Sequence, residues 1–248
     1  MLSGIYRAAG AMGIAEDNLD VIANNLANVN VPGFRKSAMV VQTFEKALAE
    51  AKTASSNPSN VDSTGFPMEE VVVDFTTGAT VNTGRPLDVA LDGDGFFVVE
   101  GPDGPLYTRN GGFHVSPDGQ LTTGAGYPVL GDGGPISVQG NTSPSQIEIN
   151  QDGDVIAAGN KIGTLRTVQF EDNGQLEPLG TTLFSAPDGV DPTDAEIRVF
   201  QGFRENSNVS PVHEMVGIVQ NVRNHEAAER VLKALNDSLQ LSTNPRGS

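Results

Sequence analysis

IYRAAGAMGIAEDNLDVIANNLANV, residues 5–29, decides how this 248-residue chain is to be read. Ile5, Met12, Leu19 and Leu26 recur every seven residues, and Ala8, Ala15, Ile22 and Val29 follow each of them by three. Those are the a and d positions of a heptad, which draw a narrow apolar stripe along one side of a helix. At 1.5 Å per residue the segment is expected to be a rod roughly 40 Å long. Its other faces carry Glu16, Asp17, Asn18, Asp20, Asn24, Asn25 and Asn28. They are polar but not basic, whereas a helix lying on a membrane surface needs Lys or Arg there. A protein partner is favoured. The helix is expected to stop at Asn30-Val31-Pro32-Gly33, because proline removes a backbone donor and biases the residue before it away from helix.

The other end of the chain mirrors the first. Ser210 suits an N-cap and Pro211 the first helical position. Met215, Ile218, Val222, Ala228, Leu232, Leu235 and Leu239 then follow at three- and four-residue steps, with His225 between Val222 and Ala228. This helix is expected to fray near Ser242. Two stripes at opposite ends of one chain pose a packing problem. Each large apolar side chain contributes about 1.5–3 kcal/mol when buried and nothing when exposed, and isolated helices of this length are marginal in water. The stripes must therefore cover each other, the middle of the chain, or other copies. A helical hairpin within a monomer is the plainer solution. The narrowness of a two-in-seven stripe favours coiled-coil pairing within an oligomer.

Between the ends the period changes. Residues 37–50 read as a weaker helical or mixed stretch (Met39, Val40, Val41, Phe44, Leu48), and 51–67, rich in Ala, Ser, Asn and Pro, as a linker. From 68 to 203 short apolar runs alternate with turn pairs. Val71–Val73, Leu87–Leu91, Phe96–Val99, Ile147–Ile149, Thr164–Val168 and Ile197–Val199 are candidate strands. Asp103-Gly104, Asp118-Gly119, Asp152-Gly153, Asn173-Gly174 and Asp188-Gly189 sit between such runs, and these pairs tolerate the positive φ of tight hairpins. The expected fold is α+β, with terminal amphipathic helices forming a discontinuous coiled-coil domain and a central domain of short antiparallel strands. The boundaries are 1–36 and 204–248 for the helical domain, 37–67 for the linker and 68–203 for the β domain.

Composition closes off whole classes of function. The net charge is −16, which opposes a nucleic-acid partner, since phosphate binding runs on clusters of Lys and Arg. The absence of cysteine removes disulfides, thiolate metal sites and a Cys nucleophile. No run approaches the roughly 18 apolar residues of a membrane span, and residues 1–20 lack the pattern of a cleaved signal peptide. His213-Glu214 and His225-Glu226 each begin like the zinc-protease pattern. However, Gly217 and Glu229 stand where its second histidine belongs, so the residues read better as helix surface and seam. Asp92-Gly93-Asp94-Gly95 fails the calcium-loop pattern at its fifth position, Phe96, and reads as a turn feeding a buried strand. Neither a catalytic constellation nor a cofactor is expected.

Several segments together resemble a known family. Ala23-Asn24-Asn25-Leu26-Ala27-Asn28 followed by Val31-Pro32-Gly33-Phe34 is similar to the N-terminal signature of the bacterial flagellar axial proteins, which build rod and hook. Gln201–Val209 with Glu214-Met215-Val216 resembles the family's C-terminal signature, although Arg204 and Asn206 stand where Leu and Gly are usual. Gly84–Leu91, Asp92–Phe97 and Tyr107–Gly111 resemble its β-domain motifs. Within the family, Pro128–Ile136 and Asn208–Val212 are most similar to the proximal-rod branch, and the distal-rod branch shares both end signatures.

The resemblance implies a structural subunit of the basal-body rod, not an enzyme. It also implies export through the flagellar type III apparatus without a cleaved signal, and partners among other copies and other rod and hook proteins, with no nucleic acid and no membrane insertion. The expected assembly surface is the first stripe (Ile5, Met12, Leu19, Ile22, Leu26, Val29) and the second (Met215, Ile218, Val222, Leu232, Leu235, Leu239). Asn24, Asn25 and Asn28 either bridge neighbouring subunits or form a solvated face. Pro32, Gly33 and Phe34 would redirect the chain out of the helical layer. Two competing readings are a secreted adhesin or tail-like β protein, which would not need heptads at both ends, and a metal-dependent hydrolase using His213 or His225.

Overall fold

The computed structural model describes residues 2–42, 68–138, 143–195 and 197–243. The expected linker 51–67, residues 43–50 of the mixed stretch, the side chain of Leu239 and the tail from 244 onward lie outside the described residues. The chain divides into two compact units. One comprises Met1–Ala27, Ser37–Val72 and Ser210–Ser248, and the other Asn28–Lys36 and Val73–Val209.

The first unit holds helices α1 (Leu2–Ala27) and α2 (Pro211–Thr243), together with paired strands β1 (Ser37–Gln42) and β2 (Met68–Val73), whose last residue enters the second unit. The first helical bond of α2 runs from Glu214 N to Ser210 O, at 3.0 Å. Pro211 thus sits where its missing N–H costs nothing. Helix α1 ends before the last heptad position: Val29 falls in the turn that Val31 N closes onto Asn28 O at 3.0 Å. Over Ser37–Gln42 the expected helical or mixed stretch is a strand. Val40 and Val41 are β-branched and follow a proline-containing turn, so local propensity favours extension there.

The second unit is β throughout its described length, apart from two single 3-10 turns. A six-stranded sheet runs in the order β15-β16-β6-β5-β14-β17. Its strands are β5 (Phe96–Glu100), β6 (Pro105–Thr108), β14 (Thr167–Gln169), β15 (Glu177–Leu179), β16 (Leu183–Ser185) and β17 (Thr193–Asp194), all antiparallel. Beside it lie a meander of β11 (Ile147–Ile149), β12 (Asp154–Ala157) and β13 (Asn160–Thr164) and several two-stranded pairs. Two of those pairs are β4 (Val89–Asp92) with β18 (Arg198–Gln201), and β3 (Thr80–Asn82) with β19 (Phe203–Glu205).

Strand β5 explains the core. Phe97 and Val99 enter one apolar cluster with Phe113, Leu121, Val129 and Val155, while Phe96 and Val98 enter another with Val168, Phe170 and Phe184. Alternating side chains of a strand point to opposite faces, so an unbroken run of four apolar residues signals burial on both sides. Asp103-Gly104 closes β5 onto β6, and Asp152-Gly153 closes β11 onto β12. Asn173-Gly174 departs from expectation. It lies in a 3-10 turn capped by Asp172, with Gly174 N donating to Asp172 Oδ1 at 2.9 Å. The expected strand Thr164–Val168 is likewise broken at Leu165-Arg166, where the chain leaves β13 and enters the sheet as β14.

Gly33 shows how tightly the turn after α1 is built into the β unit. Its φ is +69°, and a methyl group placed on it would collide with Asn110 N and lie 2.6 Å from Arg109 C. Gly33→Ala is expected to combine left-handed strain with overpacking and to destabilise this unit by about 2–4 kcal/mol. A urea midpoint that falls at constant slope would bear this out; an unchanged midpoint would refute it.

Candidate assembly surface

The helices of the first unit run antiparallel, because partners on α2 move backward as those on α1 advance. A methyl group on Gly4 would lie 3.3 Å from Leu235 Cδ1, and one on Gly217 would lie 3.4 Å from Ile22 Cδ1. Between these points Asn221 Nδ2 donates to Ala15 O at 2.6 Å, and His225 Nε2 lies 3.4 Å from Glu16 Oε1. The seam centre is made of small and polar residues: Ala8, Ala15, Asn25, Glu214 and Asn221 are buried. Small side chains let two helices approach closely, and a buried amide that must find its acceptor pins the register. Asn221→Ala is expected to cost the helix pair about 1 kcal/mol, read as an earlier loss of helical circular dichroism on heating. An unaltered melt would mean that Asn221 does not set the register.

Asn25 has a task inside the chain. Its Oδ1 accepts from Ser37 N at 2.9 Å, and its Nδ2 donates to Ser37 O at 2.7 Å and to Glu214 Oε2 at 3.4 Å. One amide therefore joins the end of α1, the start of β1 and the first turn of α2. Asn25 is buried in this junction, Asn24 is exposed and Asn28 half-buried. Val29 and Asn28 lie past the helix, in the β unit.

The expected stripes divide in the structure. Ile5, Met12, Leu19, Ile22 and Leu26 of α1 are half-buried, as are Ile218, Leu232 and Leu235 of α2. Met215 and Val222 instead turn outward and join Val212, Val216 and Val219 in a second apolar row, exposed by 40–68%. This row takes up the first three turns of α2, on the side away from Glu214 and Asn221. Beyond Val222 that side becomes charged and self-paired, with Arg230–Glu226 at 3.1 Å and Lys233–Glu229 at 2.6 Å. The Lys233 ammonium, donating to it, holds the Glu229 carboxyl below its usual range. Val212, Val216 and Val219 escaped the sequence reading, although the 212-215-216-219-222 spacing marks a helical face by itself.

Pro32, Gly33 and Phe34 form the turn after α1, with Phe34 buried. His213 is exposed on α2. A groove of about 610 Å³ in the β unit mixes both signs of charge, and its Arg166 is already paired with Asp194 at 3.0 Å.

Comparison with known proteins bears on the whole chain. Residues 5–35 match the family described as flagella basal body rod protein, 90–157 the flagellar hook protein FlgE/F/G D1 domain, and 201–244 the flagellar basal body rod FlgEFG protein C-terminal family. The chain is similar to the flagellar basal-body rod protein FlgF of Caulobacter vibrioides, at 36% identity over 90% of this chain and 88% of that one. It is similar to FlgG of Bacillus subtilis at 32% identity over 97% of both chains, and to FlgF of Salmonella typhimurium at 34% over 94% of both.

Proposed function

Because this chain belongs to the flagellar basal-body rod protein family, we propose that it is a structural, non-catalytic subunit of the rod in the flagellar basal body. It polymerises there with other copies and with other axial proteins into a torque-transmitting shaft. The observation that carries this reading is the outer row of α2. Five apolar side chains at helical spacing remain exposed after α1 and α2 have paired. Covering them, at about 1.5–3 kcal/mol for each side chain fully buried, supplies a driving force for association. In the assembled rod the terminal helices pack as coiled coils through that row and the half-buried edges of the α1–α2 seam. Export passes through the flagellar type III apparatus, as the family resemblance implies.

The β unit supports the same reading by what its edges discourage. The six-stranded sheet ends on one side at β15, which contains Pro178, and on the other at the two-residue β17, which directly follows Pro192. Proline and shortness blunt sheet edges against pairing with another chain. Association is thereby directed to the helices.

We place the subunit in the proximal rod, on the similarity of Pro128–Ile136 and Asn208–Val212 to that branch. A distal-rod position is the second reading, favoured because that branch shares both end signatures. Imaging of purified basal bodies with this chain labelled tests both. Label in the rod near the inner membrane supports the first, label further out supports the second, and basal bodies free of label would overturn the rod assignment.

A further inference from the structure

Residues 28–36 are severed in sequence from the body of the β unit by residues 37–72, yet they belong to it. They are held like a bound peptide. Gly33 N donates to Glu205 O at 3.0 Å, Lys36 N to Asn208 Oδ1 at 2.7 Å, and Asp74 N to Lys36 O at 2.8 Å. Phe34 and Arg35 are buried, and Arg35 Nη2 lies 2.7 Å from Glu205 Oε1. The same carboxylate accepts from Gly78 N at 2.8 Å and faces the buried Arg109, whose Nη1 is 3.6 Å from Oε2. Arg109 also donates to Gly93 O at 2.7 Å and stands 5.5 Å from the centre of the Phe96 ring. Asn208 Nδ2 in turn donates to Asp74 O at 2.8 Å and to Thr76 O at 3.1 Å. Glu205 and Asn208 thus tie together three passages of chain that lie far apart in sequence: 31–36, 74–78 and 203–208.

Charge couples the passages of this tie. Burial, which strips a guanidinium of water, pulls Arg109 down to about 10, with Glu205 opposing the shift and Arg35 adding to it. It remains protonated at neutral pH. If the passage carrying Glu205 lifts away, buried Arg35 loses its counter-charge, and buried Arg109 keeps only the exposed Asp94 carboxylate, 3.8 Å from its Nη2. If the passage carrying Arg35 lifts away, Glu205 loses its closest cation and the carbonyl of Glu205 loses Gly33. Each passage therefore holds best when the other is in place, which is a coupling free energy between them.

We propose that residues 31–36 and 203–208 form a two-ended latch on the β unit, closed by the Arg35–Glu205–Arg109 cluster, whose two ends open and close in one cooperative step short of global unfolding. The inference rests on the fold of the β unit and is independent of the rod assignment.

Native-state hydrogen exchange on the full chain tests it directly. The amides of Gly33, Lys36, Asp74, Gly78 and Asn206 are expected to share one opening, with the same denaturant dependence, while those of β5 and β6 exchange only on complete unfolding. Separate openings for the two passages, or a single opening shared with β5 and β6, would overturn the latch. Arg35→Met supplies the reciprocal reading, because it alters one end only. Exchange at Gly78 and Asn206, on the other passages, is expected to quicken by roughly tenfold or more, with β5 and β6 still protected. Acceleration confined to 31–36 would overturn the coupling. Should that variant not fold, the wild-type exchange pattern still decides the question.

Discussion

Phe97→Ala lowers the unfolding free energy of the β unit by about 3–5 kcal/mol, the range expected when a fully enclosed aromatic ring is removed. Phe97 has no exposed surface, and its ring meets that of Phe113 at 5.2 Å and 78°, an edge-on contact. The loss combines transfer free energy, the aromatic contact and a cavity. That cavity cannot easily collapse, because Val89 and Gly111 beside it are locked by the bond from Val89 N to Gly111 O, and a methyl on Gly111 would already touch Phe97 Cε2 at 3.2 Å. Phe96→Ala, one residue away, empties the opposite face of the same sheet, where its ring meets Phe75, Phe170 and Phe184. The two losses are expected to be comparable, and nearly additive because the rings lie in separate clusters. Chemical denaturation of the single and double variants checks both points. A loss below about 1 kcal/mol at Phe97 would show that this face is not the core.

The second large effect falls on assembly. Met215→Asp combined with Val219→Asp is expected to abolish incorporation into the rod and, with it, swimming, while the β unit melts unchanged. Both side chains are more than half exposed in the single chain, so the monomer has little to lose. In an interface the same positions would bury two unpaired carboxylates, each costing several kcal/mol. Glu226→Lys with Arg230→Glu, on the self-paired stretch further along α2, is the matched control and is expected to assemble normally. Motility and basal-body composition in a strain carrying only the variant chain give the readout. Wild-type motility of the doubly substituted chain would remove the outer row as the assembly surface.

Legibility in the sequence varied for physical reasons. Strand β5 was plain, because Phe96–Val99 is continuously apolar and bounded by Asp-Gly turns, and only a doubly covered strand uses such a run. The start of α2 was equally plain from Ser210-Pro211. The apolar faces of α2 were harder. Residues facing α1 and residues of the outer row interleave within the same three turns, so one stripe drawn through Met215, Ile218 and Val222 crosses both. Asn25 reads as a surface residue in the sequence and Asn221 carries no signal of its own, since nothing local distinguishes a solvated amide from one that meets a backbone carbonyl on a distant segment.

Composition and periodicity on their own determined the α+β class, helices at both ends and a turn-rich β middle, while the family came separately, from the resemblance of particular motifs. Those features depend on local conformational preference and on which side chains avoid water, and both act within a few residues. Only the tertiary structure decided which apolar row is left over after the helices pair. It alone brought Arg35 and Arg109 to Glu205, and moved residues 28–36 from the helical end into the β unit. Those outcomes depend on partners some hundred or more residues apart, where burial and charge are settled by the fold as a whole.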